Sequence, residues 1–66
     1  MRHEISMAAG QILNFLETHG ETSALALRSS LKFSQTLLFL ALGWLSQQDK
    51  IDLVFRDRSC WVLLKK

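Results

Sequence analysis

Proline is absent from this chain of 66 residues, so no prolyl isomerisation, proline kink or polyproline segment shapes it. Cysteine occurs once, at Cys60. An intrachain disulfide is thereby excluded, and one thiol beside His3 and His19 does not complete a structural zinc site. The two histidines sit at opposite ends of a stretch of helical pattern, roughly 24 Å apart at a rise of about 1.5 Å per residue, and do not share a metal within one chain. Long apolar runs are missing as well. The longest, Leu37 to Leu45, is interrupted by Gly43 and falls far short of the ~20 residues that cross a bilayer. Behind Met1-Arg2-His3-Glu4 there is no apolar stretch of the kind a signal peptide carries. With a lone thiol suited to a reducing compartment, this gives the cytoplasm as the expected location. There is no glycine-rich phosphate loop and no pair of carboxylates at catalytic spacing. Cys60 lies among apolar neighbours with no histidine near it in sequence, so it reads as a structural thiol and not as a nucleophile. No catalytic residue, cofactor, metal, membrane contact or small-molecule substrate is expected.

Apolar side chains are what the chain has in quantity, at 48% of residues. A domain this small without disulfide or metal draws its stability from apolar burial, from a partner subunit, or from both. The net charge of +2 is unevenly spread. Residues 1–27 set Arg2 against Glu4, Glu17 and Glu21, a net of −2, whereas residues 28–66 set seven cations against Asp49, Asp52 and Asp57, a net of +4. A basic second half is what a nucleic-acid surface requires, and it is also what keeps many small proteins soluble.

Residues 4–18 have helical spacing through Ile5, Ala8, Ala9, Ile12, Leu13, Phe15 and Leu16. Gly10 sits mid-helix, which costs about 1 kcal/mol against alanine and suggests close approach of another backbone. His19-Gly20 closes the helix, with His19 complementing its dipole. Glu21-Thr22-Ser23 reads as a short extended link, with Ser23 as cap to a second helix from Ala24 to Leu31 on Leu25, Leu27 and Leu31. Lys32-Phe33 makes a turn. Ser34 caps a third helix reaching about Gln48, closed by Asp49-Lys50. Ile51 to Phe55 alternates as a strand, with Ile51, Leu53 and Phe55 on one face. Arg56-Asp57-Arg58-Ser59 reads as the hairpin loop, and Cys60 to Leu64 as the returning strand. No linker or repeat divides residues 1–66, so a single α+β domain is expected: a winged helix-turn-helix with three helices and a two-stranded hairpin wing.

The run Ala41-Leu42-Gly43-Trp44-Leu45-Ser46-Gln47-Gln48-Asp49-Lys50-Ile51 resembles the ALGWLxxxDKI signature of a small winged helix-turn-helix family of bacteria and archaea whose function is uncharacterised. Ile5, Ala9-Gly10 and Ile12 resemble that family's first helix, and Gly20, Ser23, Leu25 and Leu27 its link into the second. Leu13 departs from the pattern, standing where the family has tryptophan. The resemblance implies the winged-helix fold and self-association, and brings neither a ligand nor catalytic residues.

A DNA-reading third helix carries Arg, Lys, Asn or Gln on its exposed face. Here residues 33–48 hold no charged side chain. Ser34, Gln35 and Thr36 at the helix start, flanked by Arg28 and Lys32, are the candidates for contact with double-stranded DNA. In the wing, Arg56 and Arg58 either reach phosphates or form a solvated turn. The helical spacing assigns Leu37, Leu40, Ala41, Trp44, Leu45 and Gln48 to the core. Leu38, Phe39 and Leu42 then fall outside it, as a candidate dimer or partner surface unless the core wraps further round the helix. Trp44 and Trp61 read as packing residues. Two functions follow as expectations: a DNA-associated, transcription-linked homodimer, or a protein-interaction winged helix that binds no nucleic acid.

Overall fold

The computed structural model describes residues 2–65, the side chain of Arg2 excepted. Its elements in chain order are α1 (Arg2–His19), β1 (Thr22–Ser23), α2 (Ala24–Leu31), α3 (Gln35–Gln47), β2 (Ile51–Arg56) and β3 (Ser59–Leu64). Both serine caps form as the sequence suggests. Ser23 Oγ accepts from the Ala26 N–H and Ser34 Oγ from the Leu37 N–H, each at 3.1 Å, which satisfies a donor left over at each helix start. Gly20 closes α1 at φ 78°, its N–H donating to Leu16 O at 2.8 Å. His19 Nδ1 lies 3.1 Å from Phe15 O, a contact in which the ring nitrogen must carry the proton, and the His19 ring stacks on Phe15.

The sheet has three strands rather than two. Thr22 and Ser23 pair antiparallel with Val62 and Trp61, so β3 lies in the middle of the order β1-β3-β2. The segment expected as a plain link is therefore a short edge strand; two residues are too few to show an alternation. In the hairpin Ile51 pairs with Leu64, Leu53 with Val62 and Arg56 with Ser59. The connection is accordingly just Asp57-Arg58, shorter than the expected loop. Both residues have positive φ (50° and 63°), as in the tight turns whose twist matches that of two paired strands.

One face of this sheet, through Ile51, Leu53, Cys60, Val62 and Leu64, closes over a core of Ala8, Ala9, Ile12 and Leu16 from α1, Ala24 and Leu27 from α2, and Leu38, Ala41, Leu42 and Leu45 from α3. Phe55 continues the inner column but lies past the edge of the core and is 78% exposed. Among the described residues no helix is long and apolar enough to cross a membrane.

Candidate interaction face on the third helix

The turn between α2 and α3 is built on Lys32, which sits in the left-handed region at φ 58°. Its N–H and that of Phe33 both donate to Arg28 O, satisfying the end of α2 before Ser34 opens α3. This arrangement brings Arg28, Lys32, Ser34, Gln35 and Thr36 together as exposed residues around the start of α3. Neither Arg28 nor Lys32 makes an ion pair among the described residues. Two free cations thus stand beside a helix N-terminus, which itself carries partial positive charge.

Along α3 the rotation differs from the one the apolar spacing suggested. Leu38, Ala41, Leu42 and Leu45 point inward and are buried, with Leu37 half-buried beside them. Leu38 and Leu42, expected as an interface, are core residues and are unavailable to a partner. Leu40 and Trp44, expected in the core, are exposed by 41% and 37%, and Gln48 is exposed as well. Phe39 stands where expected, 50% exposed. The physical reason is that α3 is apolar almost all the way round, so its spacing fits more than one inward direction.

The line most directly opposed to the core runs Thr36, Leu40, Gly43, Gln47, at the three- and four-residue intervals of one helix face. Phe39 flanks it on the side of α2, where it lines a cleft with Ala24, Leu25, Arg28, Gln35 and Leu38. Leu25 in that cleft is 68% exposed. Trp44 flanks the line on its other side. A Cβ built on Gly43 would meet no atom of the described residues within 4 Å, and the same is true of Gly10 on the outer side of α1. The close backbone approach that Gly10 suggested is not made by the described residues.

The two wing arginines part company. Arg56 projects from the outer face of the sheet and lies over the ring of Trp61, where its Nη2 donates to Glu21 Oε2 at 2.8 Å. Its guanidinium is held across β3 to the start of β1 and remains half-exposed. Arg58 stands exposed at the turn itself, outside any ion pair among the described residues. Beneath Arg56, Trp61 Nε1 is covered and has no hydrogen-bond partner among the described residues. Burial pushes the Cys60 thiol above its ordinary range. At the far end of the hairpin Lys65 Nζ donates to the Asp49 carboxylate, a contact that raises the Lys65 pKa.

Leu25, Leu40 and Trp44 join Phe39 on the surface, and none of these three was expected there. The one residue on that side of α3 whose type is unusual for a helix interior is Gly43.

The chain belongs to the winged helix-turn-helix domain family DUF2582, whose model matches residues 1–64. No curated protein and no solved structure is significantly similar to it.

Proposed function

We propose that this domain is a non-catalytic, protein-interaction winged helix that works as a homodimer and makes its contacts through α3. The reading is carried by one observation. The helix that would enter a major groove has no charge between residues 33 and 48 and exposes Phe39, Leu40 and Trp44 instead. Base edges are read by Arg, Lys, Asn and Gln, and phosphate contacts supply much of the affinity for DNA. On the line opposite the core only Thr36 and Gln47 are polar, one at each end, and the other exposed polar residues of the helix and its cap, Gln35, Ser46 and Gln48, lie towards its two ends. Exposed apolar clusters on small soluble proteins mark interfaces. The lone thiol is consistent with work in the cytoplasm.

A second reading, a DNA-associated and transcription-linked homodimer, is favoured by the two free cations at the start of α3. Arg28, Lys32, Ser34, Gln35, Thr36, the wing-tip Arg58 and the exposed part of the Arg56 guanidinium would supply its contacts. Titration of the protein into labelled generic duplex DNA at two salt concentrations separates the readings. Under the protein-contact reading no binding is detected even at low salt. Micromolar or tighter binding that weakens steeply with salt would overturn it in favour of DNA.

A further inference from the structure

We infer that a second copy of this chain covers the outward face of α3, with the two α3 helices packed antiparallel about a twofold axis between Ala41 and Leu42, so that Leu40 of each copy seats at Gly43 of the other. The inference rests on the homodimer half of the proposed function and specifies its surface and register.

The unexplained glycine comes first. Gly43 lies inside a helix of 13 residues, where glycine is the least favoured residue after proline. Its φ is not positive and no neighbouring atom of the described residues would touch a Cβ there. Nothing among the described residues accounts for it. A helix surface bared to backbone at an exposed position suits close approach of another helix.

Register follows from the order Thr36, Leu40, Gly43, Gln47. Run antiparallel against itself, this line sets Leu40 level with Gly43 of the partner subunit and Thr36 level with Gln47 of the partner subunit. Large meets small in the middle, and hydroxyl meets amide at both ends. The two Phe39 rings then share one flank, extended by the exposed Leu25, and the two Trp44 rings share the other. A parallel pairing would instead set leucine on leucine and leave the two glycines facing across a gap. A twofold contact uses the same patch on both subunits, so the patch must complement itself; this one does so in the antiparallel sense only.

Charge agrees with that choice. A self-paired face brings its own charges together, and this face has none. The antiparallel arrangement also sets the positive start of each α3, with Arg28 and Lys32 beside it, against the negative end of the partner's α3. Arg28 and Lys32 thereby gain a role that requires no nucleic acid.

The deciding experiment is sedimentation of the full chain over a concentration series, with circular dichroism on each variant. The wild type is expected to dimerise. Gly43→Leu sets leucine against leucine and is expected to shift the protein to monomer at the same concentration, with helical signal unchanged because the new side chain meets nothing in its own chain. The double variant Leu40→Ala, Gly43→Leu exchanges the large and small positions and is expected to restore the dimer. Should Gly43→Leu lose helical signal, Leu40→Lys gives a second route: it places two ammonium groups near one another across the axis and is expected to yield a folded monomer. A wild-type dimer that survives both Gly43→Leu and Leu40→Lys would overturn this surface while leaving self-association in place. A wild type that stays monomeric at the highest concentration reached would overturn both the surface and the homodimer, and the DNA titration would still separate the two functional readings.

Discussion

Arg56 crosses the face of Trp61 with its guanidinium carbon 5.2 Å from the ring centroid, and does so on its way to Glu21 on the opposite side of β3. One side chain therefore ties β2 to the start of β1 over the central strand. The ion pair is solvent-exposed on both sides, a setting in which such pairs contribute about 0.2–1 kcal/mol, and cation–π contact at exposed sites adds roughly 0.5–1 kcal/mol. Arg56→Met is expected to lower stability by about 1 kcal/mol in urea denaturation. In a double-mutant cycle with Glu21→Gln the coupling is expected to be under about 1 kcal/mol and to shrink with salt. A coupling indifferent to salt would remove the ion pair from this account.

Arg58→Gly is expected to stabilise the wing. Arg58 holds a left-handed conformation at φ 63°, which costs a side-chain-bearing residue roughly 1–2 kcal/mol. Glycine adopts it freely but gives back part of the gain, about 0.4–1 kcal/mol, through a more flexible unfolded chain. A net gain of about 0.5 kcal/mol or more should appear as a raised denaturation midpoint. Because the same change removes the wing-tip cation, it also tests the DNA reading: any measured DNA affinity would fall with it.

Leu38 and Phe39 are adjacent in sequence and opposite in consequence. Leu38 is 2% exposed, and truncation of a leucine so buried costs about 2–5 kcal/mol, which is much of the total stability of a small domain. Leu38→Ala is expected to leave the protein largely or wholly unfolded. Phe39→Ser is expected to leave the melting of the isolated domain nearly unchanged, and to weaken the dimer if the α3 face pairs as inferred. Equal losses of fold from both changes would mean that α3 is rotated from the orientation described.

Alkaline pH should destabilise the domain. The thiol of Cys60 is raised by burial, and the ammonium of Lys65 is raised mainly by its hydrogen bond to Asp49. Each group binds its proton more tightly folded than unfolded, so each contributes stability below its unfolded pKa and loses it as pH rises. Loss is expected to begin beyond the ordinary thiol range near about 8.5 and to continue into the lysine range. Cys60→Ala should remove the earlier part of the decline and leave the later part. At neutral pH the native thiol should react with a disulfide reagent more slowly than in the unfolded chain, since less of it is thiolate.

Element order was legible because its punctuation is local. Ser23 and Ser34 are capping residues directly ahead of apolar-rich segments, and Gly20 lies where α1 must stop; both serine caps and the left-handed glycine are present. The rotation of α3 was not legible. With Leu37, Leu38, Phe39, Leu40, Ala41 and Leu42 in succession, several inward directions bury similar apolar surface, and packing against α1 and β2 chooses among them. The pairing of Thr22 and Ser23 with β3 was hidden for a different reason, since a two-residue strand carries no alternation. The fate of Arg56 was hidden as well: the ion pair with Glu21 joins positions far apart in sequence, and only the completed sheet brings them together. Of the candidate site, the exposed start of α3 and Phe39 could be read from residue types, whereas Leu25, Leu40 and Trp44 required the fold.

The middle strand of the sheet is also the latest of the described elements in sequence. β1 waits for it as its only strand partner, β2 pairs with nothing else, and Val62, which it supplies to the core, is fully buried. During synthesis the three helices and β2 emerge before the strand that joins them into one sheet. Completion of the sheet therefore waits on β3, and until it arrives the helix faces that pack against β3 lack that cover.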